Sequence, residues 1–337
     1  MPREWVINAY DGFEGLELQD CEKQEPGAGE VRLRIEAFAL NWGDMDLMLD
    51  HYSFSFSAFP ARVGIEAAGI VEAVGAGVEG IDVGQRHCTL PYFYDRRGVS
   101  AETVLIDQRY LTPAPERLTA VESASIWMQF MTAYFPIVEL ANARPGINIL
   151  VPAGTSTAGN SALQIGRTAG ATLIATTRHA RNREYLEASG ATHVYVDDGE
   201  VDLAEFILEV TEGEGVHASF DPIGGDFMTR YGPALAPDAI LLMYGLLSGA
   251  FPDVPFVPML QKNAWFHPYS LFNYVQNREA CARGTAFVHA AIERGDLAPQ
   301  IDRVFAMEEY IDAWRYLSGD RTTYGKVVID VDNSSNS

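Results

Sequence analysis

Across the first third of the chain, apolar and polar positions alternate over short spans. Val31-Arg32-Leu33-Arg34-Ile35 alternates strictly, as a half-buried strand should. Over residues 64–84, valines and isoleucines are punctuated by glycines at 64, 69, 75, 77, 80 and 84. That texture predicts short strands with tight turns, hence a small barrel rather than a sheet flanked by helices. From about residue 121 the pattern changes. Helical periodicity runs over 122–140, and apolar runs follow at 147–151, 172–177, 193–196, 216–220 and 240–244, with an amphipathic small-residue stretch continuing past Gly159 to Gly170 and a helix over 203–210. Strands alternating with helices predict a parallel, doubly wound sheet. The segments 282–294 and 307–317 read as helices, and 303–305 and 326–331 as strands that return to the first domain. The expected division is therefore 1–121, 122–272 and 273–332, with a disordered polar tail at 333–337.

One βαβ unit organises the second domain. The apolar run 147–151 passes into Pro152-Ala153-Gly154-Thr155-Ser156-Thr157-Ala158-Gly159, then a small-residue helix, then the run 172–177. Gly154 and Gly159 hold the outer positions of a G-x-G-x-x-G spacing, with Ser156 at the middle one. Such a turn presents backbone N–H groups and the positive end of a helix dipole to a dinucleotide pyrophosphate. An ordinary turn built of small residues is the rival reading of the spacing taken alone. Serine adds a Cβ where glycine usually allows close approach, but its hydroxyl can donate to a phosphate oxygen, so the turn reads as a modified cradle. About 20 residues past the first glycine, an NAD site places Asp or Glu on the ribose. Here stand Thr176-Thr177-Arg178, then Arg181 and Arg183, with no acid before Glu184. A guanidinium suits a 2′-phosphate, so the expected cofactor is NADPH.

Composition narrows the field. The 337 residues are 47% hydrophobic with 30 glycines, a globular composition long enough for two cores. The net charge of −22 opposes binding to nucleic acid or to anionic membrane surfaces. No apolar run approaches a membrane span, the N-terminus lacks a signal-peptide layout, and a cytoplasmic location is expected. Three cysteines, Cys21, Cys88 and Cys281, are too few and scattered for a disulfide framework. The seven histidines show no ligand spacing.

The chain resembles the medium-chain dehydrogenase/reductase superfamily over nearly its whole length. The resemblance is carried by Gly64-Ile65-Glu66-Ala67-Ala68-Gly69-Ile70-Val71, Val74-Gly75-Ala76-Gly77-Val78, Trp127-Met128-Gln129-Phe130-Met131-Thr132-Ala133-Tyr134, the phosphate turn, Phe220-Asp221-Pro222-Ile223-Gly224-Gly225 and Gly325-Lys326-Val327-Val328. It is nearest to the zinc-independent, quinone oxidoreductase-like branch. The resemblance implies an α/β fold: a GroES-like β-barrel catalytic domain plus a Rossmann domain with a doubly wound parallel sheet, an NADPH cofactor and a homodimer. In the zinc-dependent members a Gly-His-Glu motif supplies a histidine ligand where this chain reads Gly64-Ile65-Glu66, and a cysteine ligand where it has Asn41. Isoleucine cannot bind a cation and an amide binds zinc poorly, so no metal is expected.

Without a Lewis acid, the hydride acceptor must be activated by its own conjugation and by hydrogen bonds. An activated C=C bond or a quinone suits this better than a simple ketone. The alternative is a non-redox protein on the same scaffold, catalysing an addition or cyclisation or only binding a ligand. By resemblance, the catalytic candidates are Asn41, which hydrogen-bonds nicotinamide ribose or substrate, and Tyr52, a proton donor. The cofactor candidates are Thr132, Gly154, Thr155, Ser156, Thr157, Ala158, Gly159, Thr177, Arg178, Arg181, Tyr244 and Gly245. A small-molecule substrate would be lined by Trp42, Phe54, Tyr92 and Tyr94, with Phe56 and Phe93 as further aromatics. Asp44 reads as structural. Asp46, Gln85, Phe135 and Pro268 depart from the family pattern.

Overall fold

In the computed structural model an antiparallel hairpin opens the chain, β1 (Arg3–Ile7) pairing with β2 (Leu16–Asp20). The alternation at 31–35 lies inside the long strand β3 (Glu30–Ala39), where Val31, Leu33 and Ile35 are fully buried. Helix α1 (Trp42–Met48) follows, then β4 (Glu66–Val74), β5 (Arg86–Thr89), β6 (Thr103–Asp107) and β7 (Leu111–Pro113). Two short helices come next, α2 (Ala120–Ser123) and α3 (Trp127–Tyr134), and α3 runs into a π-helical turn over Phe135–Leu140. The structure describes residues 1–92 and 94–332; Phe93 and the tail 333–337 lie outside the described residues.

The second part of the chain alternates as its sequence does. Strand β8 (Asn148–Val151), α4 (Thr157–Ala169), β9 (Thr172–Thr177), α5 (Arg183–Ser189), β10 (His193–Val196), α6 (Leu203–Val210), β11 (Val216–Asp221), α7 (Phe227–Tyr231), β12 (Leu235–Met243), α8 (Phe256–Lys262) and β13 (Trp265–Pro268) succeed one another. The chain then passes through α9 (Leu271–Val275), α10 (Arg278–Arg294), β14 (Ile301–Ala306), α11 (Tyr310–Ser318) and β15 (Lys326–Asp330).

These elements form two units. One comprises Met1–Met128, Val275–Glu293 and the chain from Ala298 onward; the other comprises Gln129–Tyr274 and Arg294–Leu297. In the first, β3 is the hub of a seven-stranded sheet. It pairs antiparallel with β4 along its length, with β6 through Glu30–Arg34, and with β15 through Ala37–Ala39. Two register shifts, at Arg32/Leu33 and Ile35/Ala37, break the regular β3–β4 ladder, as bulges that bend a strand do. In the second unit six parallel strands stand in the order β10-β9-β8-β11-β12-β13, and Leu150, Ile174, Ile207, Met228, Tyr231 and Leu241 pack in its core. The order reverses between β8 and β11, the kind of point where open α/β sheets bind ligands.

A buried ionic cluster ties the first unit together. Lys326, at the start of β15, is 2% exposed. Its ammonium donates to Glu66 Oε1 on β4 and to Asn41 Oδ1 at the start of α1. Glu66 Oε1 also accepts Asn41 Nδ2 at 3.2 Å, and Glu66 Oε2 accepts the backbone N–H of Met128 at 2.8 Å. Asp44 lies beside them, accepting the Asn41 N–H at 3.2 Å and the Tyr94 hydroxyl at 3.3 Å. A charge so deep is tolerated only when paired and hydrogen-bonded. Removing one member of such a pair costs about 3–5 kcal/mol.

Burial raises the Asp44 carboxyl to about 7, with Lys326 pulling the other way. A carboxyl whose folded pKa exceeds its unfolded one stabilises most when protonated, and that contribution is lost as pH rises through the folded value. Wild type should therefore lose thermal stability relative to Asp44→Asn between pH 5 and pH 8. Parallel melting curves for the two proteins across that range would contradict the assignment.

Candidate functional site

The turn after β8 is built to bring backbone close to a ligand. Ala153 adopts a left-handed φ of 49°, and the Gly154 N–H donates to Thr176 O at 3.1 Å, closing the turn against the end of β9. A Cβ on Gly154 would stand 2.9 Å from Leu186 Cδ2, and one on Gly159 would stand 2.7 Å from Ala153 O. The backbone contacts make Gly159 a position that requires glycine for close packing of helix and strand, whereas at Gly154 the nearest atom is a side-chain methyl. Ser156 is the N-cap of α4, and its Oγ accepts the Gly159 N–H at 3.0 Å. The N–H groups of Thr155, Thr157 and Ala158 have no backbone partner among the described residues. They surround the N-terminus of a 13-residue helix, where an anion is favoured.

At the end of β9 the side chains divide by task. Thr177 Oγ1 is buried and accepts Asn182 Nδ2 at 2.7 Å, so it shapes the loop. Arg183 donates to Val194 O at 3.2 Å. Arg178 and Arg181 are exposed, and neither has a hydrogen bond or ion pair among the described residues. Thr176 was not singled out by its sequence context, yet its Oγ1 accepts the Ala153 N–H at 3.3 Å. Its carbonyl holds Gly154, so it sets the turn as much as the glycines do.

On the other side of the sheet's reversal, β11 ends at Asp221 and β12 is followed by Tyr244 and Gly245. Asp221 accepts the Ile223 N–H at 2.7 Å and the Tyr231 hydroxyl at 3.1 Å, and burial raises its carboxyl to about 6. The Tyr244 ring stacks on Phe220 with centroids 3.9 Å apart. Its hydroxyl is buried and close to the Ser156 hydroxyl, but it has no hydrogen-bond partner among the described residues. A cradle that a Cβ would fill, free N–H donors and an orphaned hydroxyl beside the turn all fit a dinucleotide. Thr132 sits half-buried in α3, at the start of the same unit.

In the first unit the segment from Asn41 to Tyr52 contains α1 and the loop after it. The resemblance assigns Asn41 to ribose or substrate, and the structure corrects this: both ends of its carboxamide are engaged by Glu66 and Lys326. Tyr52 is half-buried, and its ring lies over Gly43, where a Cβ would come within 3.0 to 3.1 Å of the phenol. Burial, then Asp44 and Asp46, push the Tyr52 phenol well above its ordinary pKa. Trp42 is 48% exposed, and Phe54 stands edge-on to Tyr52 with centroids 5.4 Å apart. Tyr92 and Tyr94 belong to the core, contrary to their expected place against substrate. The Tyr92 hydroxyl donates to Arg97 O, and the Tyr94 hydroxyl accepts the Gly64 N–H at 3.0 Å and donates to Asp44.

The donor set does not fit zinc. Ile65 offers no ligand atom, and Glu66 and Asn41 are bound to an ammonium instead. Among the described residues no group of three or more His, Cys, Asp or Glu could hold a metal ion. Nor is any helix of the described residues long and apolar enough to cross a membrane.

Known proteins share this architecture. Residues 27–116 match the alcohol dehydrogenase GroES-like domain, and residues 158–282 match the zinc-binding dehydrogenase domain. The chain is 28% identical to the synaptic vesicle membrane protein VAT-1 homolog of Rattus norvegicus, over 96% of this chain and 83% of that protein. It is also 28% identical to a quinone oxidoreductase of Pseudomonas aeruginosa, over 95% of this chain and 97% of that one. The crystal structure of a 2-haloacrylate reductase superposes with a TM-score of 0.85 at 27% identity, covering 98% of this chain and 99% of the other. With both domain types present in order and a site whose residues do not suit zinc, the chain belongs to the medium-chain dehydrogenase/reductase superfamily, in its zinc-independent, quinone oxidoreductase-like branch.

Proposed function

We propose that this oxidoreductase uses NADPH to reduce an activated C=C bond or a quinone. The observation that carries the cofactor choice is the pair of exposed, unengaged guanidinium groups of Arg178 and Arg181 just past β9, where no carboxylate precedes Glu184. Two planar, permanently charged donors match a ribose 2′-phosphate, and the carboxylate at the end of the neighbouring strand, Asp197, is already paired with Arg230. The cradle of Gly154, Thr155, Ser156, Thr157, Ala158 and Gly159 is assigned to the diphosphate, and Tyr244, Gly245 and Thr132 to the nicotinamide half.

The bound nicotinamide would supply a hydride. The residues of this chain are left to bind the acceptor and steady the charge that collects on its oxygen. Tyr52 suits that role: its raised pKa keeps the proton on through the neutral range, so it can donate a hydrogen bond or a proton to a carbonyl oxygen. Trp42 and Phe54 are exposed or half-buried aromatics suited to a flat substrate. Relatives whose names specify a quinone and a 2-haloacrylate support an electron-poor acceptor.

A second copy of the chain is the proposed partner. Strand β13 is the edge of its sheet, with β12 on one side only. Beside it the surface is unusually apolar, with Trp265, Phe256, Val257 and Leu260 all more than half exposed. An edge strand of this kind invites pairing. Pairing with its own copy satisfies both edges through one two-fold contact.

Purified protein should oxidise NADPH, followed at 340 nm, in the presence of a quinone or enone. Tight NADPH binding with no turnover over a broad panel would favour the non-redox alternative. Arg178→Ala should weaken NADPH about tenfold or more while leaving NADH within about twofold, since a charge-assisted contact is worth roughly 1.5–3 kcal/mol; equal losses would remove the 2′-phosphate argument. Trp265→Glu combined with Leu260→Glu should halve the mass seen by light scattering, and an unchanged mass would move the interface elsewhere.

A further inference from the structure

Asp46 departs from the family pattern, and its place in the fold gives that departure a use. In α1 the buried residues are Asp44, Met45, Leu47 and Met48. Trp42, Gly43 and Asp46 stay toward solvent, and their i, i+3 and i, i+4 spacings set Asp46 on one face with the other two. The Tyr52 ring covers that face at Gly43, within 3.0 to 3.1 Å of where a Cβ would stand. Asp46 is close enough to help raise the pKa of the Tyr52 phenol, the group assigned above to the acceptor oxygen.

The Asp46 carboxylate is not committed to the protein. It is half-buried, and it makes no hydrogen bond or ion pair among the described residues. Asp44, by contrast, is fully buried and accepts from Asn41 and Tyr94. Burial raises the Asp46 carboxyl, and His51 opposes the rise. No fixed cation offsets it nearby in the chain. Residues 42–61 include Asp44, Asp46 and Asp50 but neither lysine nor arginine, and Arg62, which follows, is paired with Glu4. The charged groups that act on the Tyr52 phenol, Asp44 and Asp46, are both acidic.

Like charges brought together away from bulk water repel strongly, and specificity often rests on such a repulsive element. A quinone or a simple enone arrives uncharged. An acceptor with a carboxylate beside its carbonyl brings a full negative charge to the Tyr52 hydroxyl. We infer that Asp46 selects the acceptor by charge, admitting neutral quinones and enones and turning away those with a carboxylate next to the reducible group. The inference rests on the reductase reading above, with Tyr52 at the acceptor oxygen.

Benzylidenepyruvate and its methyl ester test it, since they share one enone and differ in the charge beside its carbonyl. Rates are followed by NADPH oxidation at pH 8, on the ionised side of a raised carboxyl. In Asp46→Asn the acid-to-ester ratio of kcat/KM should rise about tenfold or more over wild type, the effect of removing one like charge from a partly desolvated site. The difference in intrinsic reactivity of the two acceptors cancels in this comparison, as does any loss common to both. Asp46→Ser, which removes the charge with a smaller side chain, should give the same rise. A ratio unchanged in both variants overturns the inference and leaves the reductase reading standing. Equal losses with both acceptors overturn it too, and would place Asp46 in the chemistry or the packing of Tyr52. If wild type reduces no quinone or enone at all, the reductase reading falls and the inference with it.

Discussion

A lysine ammonium buried against a glutamate is the constraint on which the catalytic unit depends. Lys326 comes from the last strand, Glu66 from β4 and Asn41 from the start of α1, and the contact closes a sequence separation of 260 residues or more. Its geometry is set by desolvation. None of the three groups can turn to water, so each must find its partners inside, and the chain around them has one arrangement that supplies them. The Met128 N–H on the second oxygen of Glu66 extends the same constraint to the start of α3. The side-chain oxygens of Glu66 and Asn41 in this cluster are bound to the ammonium of Lys326, a cation that is covalently part of the chain.

The nucleotide-binding unit is held by a different kind of constraint. Its turn works because atoms that would normally be kept apart by a Cβ come together at Gly154 and Gly159, and because Thr176 gives the loop two fixed points on the neighbouring strand. Ser156 turns out to be compatible with this. It serves as a helix cap, so the hydroxyl that replaces the usual middle glycine is used within the turn and stands beside the Tyr244 hydroxyl.

The tyrosines illustrate how one residue type divides between satisfied and unsatisfied hydroxyls. Tyr92 and Tyr94 have hydroxyls satisfied by the protein and belong to packing. Tyr244 and Tyr269 are just as buried at their hydroxyl oxygens, but those oxygens have no partner among the described residues. Burial alone does not separate the two classes; the hydrogen-bond balance does.

Much of the architecture was legible in the chain itself. The period-two pattern at 31–35, the alternation of strands and helices from 147 on and the small-residue turn are local signals, and local geometry follows from them directly. The cluster of arginines after β9 was likewise visible in the chain, and the structure leaves Arg178 and Arg181 exposed. What tertiary structure decided was which polar atoms are already spent. Asn41 aligned with a ligand-lining position but is consumed by Lys326, a residue far away in sequence. The hydroxyl of Thr177, a nucleotide candidate, is engaged by Asn182 of the following loop, and Arg183, in the same run of arginines, donates to Val194 O of the neighbouring strand. A side chain's chemistry is written in the sequence, but whether that chemistry remains free for a ligand depends on neighbours that only folding brings into contact.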